Sequence, residues 1–233
     1  MRTIVLVPGL VSDARVWRAL RDALDGRALL HDGSISVFQD IAQMATGLLL
    51  ETSGELIAVG HSLGGRVAME MARQNPERVK GLVLANTGHT PKKPGEEVKR
   101  HEMIDLGHRS MHELAAQWLP PMLDPARVGD QELIADLTEM VLAAGPEVHE
   151  RQIRSLLNRP DAGTYMAAYH APVLLITGAQ DGWSPEAQHR EIQQMVPDGE
   201  LKVINNAGHF MPVEQPAATV EAIIEWLERR ELI

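Results

Sequence analysis

At 233 residues, 44% apolar and 23% charged, the chain suits one large domain, or one core domain carrying an insert. Its formal charge of −10 works against polyanionic partners, so neither nucleic acid nor an anionic membrane surface is expected. With no cysteine, disulfides, thiolate metal sites and a cysteine nucleophile are excluded. The opening MRTIVLVPGL has too short an apolar run for a signal-peptide core, and no segment approaches the roughly 20 residues that span a bilayer. The expectation is a soluble cytoplasmic protein.

Short β-branched runs alternate with amphipathic stretches, the pattern of a parallel sheet with crossover helices. The first strand is predicted over Thr3–Val7 and runs into the turn Pro8-Gly9-Leu10-Val11. A helix over Ala14–Leu24 follows, with Ser12 as its N-cap or as a polar group of a pocket. A strand over Arg27–His31 leads to a helix over Val37–Glu51, for which Ser36 and Gln39 have capping-box spacing. Further strands fall at Glu55–Val59, Val79–Ala85, Pro172–Thr177 and Leu201–Ile204, with helices at Leu63–Gln74, Pro185–Met195 and Pro216–Arg229. Most of these strands are near-continuous apolar runs, as strands covered on both faces should be. From Gly88 to Tyr169 the alternation stops, and the stretch is helix-prone and broken by prolines. It reads as an insert over residues 88–170, dividing a core made of residues 1–87 and 171–233.

The chemistry concentrates in loops at strand ends. Gly60-His61-Ser62-Leu63-Gly64-Gly65 joins a buried strand to an amphipathic helix. That setting is what a G-x-S-x-G nucleophile requires, because its serine sits on a sharp strand-to-helix turn. The flanking glycines let strand and helix approach. A serine hydroxyl needs a base, and of the ten histidines His209 alone follows the last strand directly, in the loop Asn206-Ala207-Gly208-His209. An acid to orient it is expected at the same edge, where Gly178-Ala179-Gln180-Asp181-Gly182 places Asp181. The order along the chain is Ser62, Asp181, His209. Oxyanion donors are expected at the backbone N–H groups of Leu10, freed by the Gly9 turn, and of Leu63.

Together LVPGLVSDARVW, VGHSLGGRVAMEMARQNPERVKGLVL, PVLLITGAQDGWSP and VINNAGHFMPVEQP resemble the ordered motifs of the α/β-hydrolase superfamily. The resemblance implies a doubly wound, mainly parallel α/β sheet with an inserted helical cap. It also implies a triad of Ser62, Asp181 and His209, with no cofactor and no metal. The chain departs from the family in carrying Pro8-Gly9 where many members have His-Gly. It also has His31-Asp32-Gly33-Ser34-Ile35 in place of an Asp-x-x-Gly-x-Gly loop, and its start implies a compact branch of about six core strands.

The expected reaction is hydrolysis of a small to medium carboxylic ester or lactone through an acyl-enzyme. A carbon–carbon bond hydrolase or lyase using the same triad is the alternative, as is a ligand receptor that keeps the pocket. Trp17 and Trp183 each follow a site turn and either line the pocket or belong to the core. Met103, Met111, Met122, Met140 and Met166 either fill the core of the insert or form an adaptable apolar cap favouring uncharged substrates. His108 and His112, four apart as on one helical face, are read as solvated residues rather than zinc ligands.

Overall fold

The computed structural model describes residues 2–233. Six strands form one parallel sheet in the order β2-β1-β3-β4-β5-β6. They are β1 Thr3–Val7, β2 Leu29–Asp32, β3 Leu56–His61, β4 Val79–Ala85, β5 Val173–Gly178 and β6 Gly199–Ile204. The helices are α1 Arg18–Leu24, α2 Ile41–Glu51, α3 Leu63–Gln74, α4 Glu96–Arg109, α5 Met111–Trp118, α6 Gln131–Leu157, α7 Glu186–Met195, α8 Met211–Glu214 and α9 Pro216–Arg229. The chain moves one way across the sheet through α1 and the other way from α2 onward. Right-handed crossovers therefore put α1 on one face and α2, α3 and α7 on the other. The packing of α1 against α9, and of α2 against α3, agrees with this.

The central strands β1, β3, β4 and β5 are almost wholly buried, as continuous apolar runs require. The edge strands β2 and β6 are only partly covered, so two-sided burial does not extend to them. Strand β2 begins two residues later than predicted because the N–H groups of Arg27 and Ala28 still bond to Leu24 O at the end of α1. The helix predicted from Ala14 starts as a 3-10 turn, Ala14–Trp17, whose N-cap is Asp13 rather than Ser12. Ser12 Oγ instead donates to Leu10 O at 2.9 Å. Helix α2 starts at Ile41, not Val37, and the Ser36–Gln39 box does not form. Asp40 is the cap, accepting from Gln43 N at 2.8 Å, while Gln43 Oε1 accepts from Gln39 N at 3.3 Å. The capping logic is right, but it operates four residues further on.

Between β4 and β5 the chain adds helices and no strand. Helices α4, α5 and α6 pack on one another, and α6 is broken at Gly145 (φ 76°), immediately before Pro146. Ser110 separates α4 from α5 and caps the latter by accepting from Glu113 N at 3.1 Å. His108 and His112 therefore lie on different helices, not on one face. His108 is paired with Glu150 at 2.7 Å. No helix among the described residues is long and apolar enough to cross a membrane.

The start of α3 is pressed against the sheet. A Cβ on Gly60 would overlap the carbonyl of Gly64, and one on Gly64 would overlap the carbonyl oxygens of Val7 and Pro8. We expect Gly64→Ala to lower stability by about 1–3 kcal/mol, read as a shift of the urea midpoint. Gly129→Ala, where nothing lies within 4 Å of an added Cβ, should not destabilise the protein. Equal effects at the two sites would contradict the packing described.

Candidate active site

Ser62 joins β3 to α3 at φ 54° and ψ −114°, a left-handed backbone that a side chain adopts only under constraint. Its N–H donates to Ala85 O at 2.9 Å, and its carbonyl accepts from Thr87 Oγ1 at 2.7 Å. Both bonds tie the turn to β4 and the residues just after it. The Ser62 hydroxyl stands 2.8 Å from His209 Nε2, and His209 Nδ1 stands 2.9 Å from Asp181 Oδ2. With Nδ1–H donating to the carboxylate, Nε2 is left as the acceptor for the serine proton. The residues expected to meet at the sheet edge are in hydrogen-bonding contact.

Asp181 is buried, yet both its oxygens are satisfied. Oδ1 accepts from the N–H groups of Trp183 (2.8 Å) and Ser184 (2.9 Å); Oδ2 accepts from His209 and from Asn86 Nδ2 (2.8 Å). Burial alone would raise its pKa. The neighbouring His209 and the N–H donors outweigh burial and hold the carboxyl well below the usual carboxylate range.

Four further residues surround this chain of contacts; His61 and Glu214 lie within the quoted motifs without being named as site residues, and Asn86 and His189 lie outside them. Asn86 follows β4 at φ 48° and also donates to Gly208 O at 3.1 Å. His61 Nε2–H donates to the His209 carbonyl at 2.7 Å; burial, then the nearby His209, lowers its pKa to about 3, so it is neutral. Glu214 accepts from Gly208 N (2.9 Å) and from Asp124 N (2.7 Å), joining the His209 loop to the segment between α5 and α6. His189 accepts from Thr87 N at 3.2 Å, and burial lowers its pKa to about 4. The available signal was position, since Asn86 ends a strand at the site edge and asparagine tolerates positive φ.

Leu10 and Leu63 flank Ser62 in the cavity wall, and among the described residues neither N–H donates within the protein. Leu63 is the first residue of α3, whose early N–H groups have no intrahelical partner. The turn carrying Leu10 is held by Val11 N donating to Gln152 Oε1 of α6 at 2.7 Å. Trp183 lines the cavity and is 45% exposed. Trp17 does not line it, being buried with Nε1 donating to Val7 O at 3.0 Å.

The cavity above Ser62 has a volume of about 1140 Å³. Of the methionines, Met103 and Met122 line it, with Trp118 and Leu106. Met140 and Met166 are buried in the core and Met111 is packed against it, so these three are core filling. Nor is the wall uniformly apolar as expected: Arg66, Arg100, Arg159 and Glu96 contribute to it. No group of three or more histidine, aspartate or glutamate side chains among the described residues is placed to hold a metal ion.

The chain is similar in sequence and fold to known proteins. The model of the Alpha/beta hydrolase family matches residues 4–222. The sn-1-specific diacylglycerol lipase ABHD11 of Mus musculus is 25% identical over 183 residues, covering 73% of this chain. The chain spans 58% of that relative's length. A thermophilic esterase from Thermogutta terrifontis superposes with a TM-score of 0.89 at 26% identity, covering 99% of this chain and 90% of that one. The enol-lactonase from Burkholderia xenovorans LB400 shares the fold with a TM-score of 0.86 at 20% identity, covering 97% of this chain and 91% of that one.

The buried histidines make stability depend on pH. His61, His189 and His149, the last buried in α6, have folded pKa values of about 3, 4 and 4, against about 6.5 in an unfolded chain. Below about pH 6.5 the unfolded state binds more protons, so stability falls as pH drops toward 4. Glu214, whose pKa burial raises, opposes this with a single group. The loss at pH 5 should be on the order of 1–2 kcal/mol for each histidine, measured by urea unfolding at pH 7.5, 6 and 5. Constant stability over that range would contradict neutral burial.

Proposed function

The chain belongs to the alpha/beta hydrolase family, and from that premise we propose that it is a serine hydrolase cleaving a small to medium carboxylic ester or lactone. The observation that carries this reading is the unbroken run from Ser62 Oγ through His209 to Asp181, at 2.8 and 2.9 Å. The names of the similar lipase, esterase and lactonase point to the same class of bond.

In the proposed mechanism Ser62 Oγ attacks the substrate carbonyl carbon while its proton passes to His209 Nε2. The positive charge that develops on the imidazole is stabilised by Asp181, already ionised and held by four donors. The tetrahedral oxyanion accepts from the N–H groups of Leu10 and Leu63, the latter at the positive end of α3. Collapse expels the alcohol, which takes the proton from His209, and leaves an ester on Ser62. A water then attacks that ester, gives its proton to His209, and releases the carboxylic acid as Ser62 recovers its hydrogen. No step needs a metal or cofactor. Residues 88–170 serve as a cap over the core of residues 1–87 and 171–233, with Met103 and Met122 bounding the substrate space.

Ser62→Ala should lower turnover of 4-nitrophenyl esters by on the order of 10⁶ without changing the circular dichroism spectrum. Retention of most activity would remove Ser62 from the mechanism. Across esters of increasing acyl length, Met122→Ala should change the ratio of kcat/KM between neighbours by about tenfold. Met140→Ala should lower stability by about 2–5 kcal/mol and leave the length preference where it was. A shift in preference at Met140 but not at Met122 would contradict the assignment of the cavity wall.

A further inference from the structure

Although the protein carries a formal charge of −10, the inner wall of its catalytic cavity is cationic. Arg66 lies one helical turn beyond Ser62 on α3, its N–H reaching Ser62 O at 3.4 Å, so both side chains share a face of the helix. Arg100 comes from α4, and Arg159 from just after α6. Two of the three guanidinium groups, those of Arg100 and Arg159, meet one carboxylate, that of Glu96. Glu96 is 2.7 Å from Arg159 and 3.1 Å from Arg100; against the effect of burial, Arg159, the Lys93 N–H and Arg100 hold its pKa down to about 2. The group therefore carries two positive charges beyond its one negative charge.

Among these arginines the bonding is uneven. Arg159 is fully engaged, donating to both oxygens of Glu96 and to the carbonyl oxygens of Thr90, Leu156 and Pro91. Arg66 donates once within the protein, to Thr90 O at 3.1 Å, an oxygen it shares with Arg159. No carboxylate among the described residues pairs with Arg66. Burial, then repulsion from Arg159, lowers its pKa to about 9, so it remains charged at neutral pH with most of its donors unused. The other charged lining residues, Lys93, Lys99, Glu102, Asp105 and Arg109, are exposed and screened by solvent.

We propose that the substrate is an ester bearing a free carboxylate a few bonds from the scissile carbonyl, and that Arg66 binds this carboxylate and sets the preference for it. The way Glu96 sits between Arg100 and Arg159 is the arrangement a ligand carboxylate would adopt against Arg66. Guanidinium matches a carboxylate with two parallel N–H donors, and a partly desolvated site strengthens the pair. An inward-facing positive field on an acidic protein also draws anionic ligands into the cavity rather than onto the surface. This departs from the expectation of uncharged substrates, and it rests on the reading of Ser62 as nucleophile.

The test compares 4-nitrophenyl hydrogen glutarate with its neutral methyl ester, 4-nitrophenyl methyl glutarate. The native protein should favour the anionic ester in kcat/KM by at least about tenfold at low salt, the preference shrinking as sodium chloride is added. Arg66→Met should lower the anionic-to-neutral ratio by at least about tenfold, and Arg66→Lys, which keeps the charge, should restore part of it. A ratio is insensitive to partial loss of active protein, so a poorly folded variant does not imitate the result. Calorimetric titration of glutarate into Ser62→Ala separates this inference from the catalytic one. If neither ester is turned over but glutarate binds to Ser62→Ala and fails to bind when Arg66→Met is added, the nucleophile reading fails and the anion site stands. Inorganic phosphate, run in parallel, should bind more weakly than glutarate. Equal or greater preference for the neutral ester, a ratio unmoved by Arg66→Met, absent glutarate binding or tighter phosphate binding would each overturn the proposal.

Discussion

The backbone of Ser62 is held at a positive φ, and such a conformation costs on the order of 1–3 kcal/mol unless its surroundings enforce it. The enforcement comes from the close approach of α3 to β1 and β3, which Gly60 and Gly64 alone make sterically possible. Two hydrogen bonds then fix the turn from outside, Ser62 N to Ala85 O and Thr87 Oγ1 to Ser62 O. The same packing leaves Leu63, the first residue of α3, in the cavity wall beside Ser62 and sets Arg66 one turn behind it. The positions of the hydroxyl, of Leu63 and of the cation at Arg66 therefore follow from one local constraint.

The partner histidine is positioned by a different device, a shell of buried polar groups. His61 donates to the carbonyl of His209, Glu214 accepts from the preceding Gly208, and Asn86 bonds both Asp181 and the Gly208 carbonyl. His209 N also donates to Met122 O, and Asp124 N shares Glu214, so the helical segment between β4 and β5 is fastened to the loop it covers. Buried polar groups are costly when left unpaired, so such a network resists alternative loop arrangements. A neutral His61 directly beside the serine is part of that network.

How much of this could be read from the sequence depended on whether a residue ended an element. The six strands were legible as apolar runs, and Ser62, Asp181 and His209 as loop residues at strand ends. Asn86 also ends a strand, but it belongs to no motif, and its partners lie 95 and 122 residues away. Polar residues are plentiful ahead of both helices, and Asp40 and Asp13 supply the N-caps for which Ser36 and Ser12 also have suitable chemistry. Ser110 and Glu113 have the spacing of a helix start, and that start divides His108 from His112. The methionines of the segment differ only by which side of their helix faces inward, and composition cannot distinguish the two sides. The cationic wall was invisible for a related reason, since Arg66, Arg100 and Arg159 come together only through the tertiary fold.

An acidic exterior, an inner cluster of three arginines and a serine fixed at a strand end are the features on which the proposed charged acyl or lactone substrate rests. That description stands or falls with the identity of the nucleophile. The most direct measurement is to treat the native protein with a fluorophosphonate, digest it, and locate the adduct by mass spectrometry. The account predicts one phosphonylated residue, Ser62, with labelling abolished in Ser62→Ala. An adduct on another serine, or no adduct from a protein that hydrolyses esters, would contradict it.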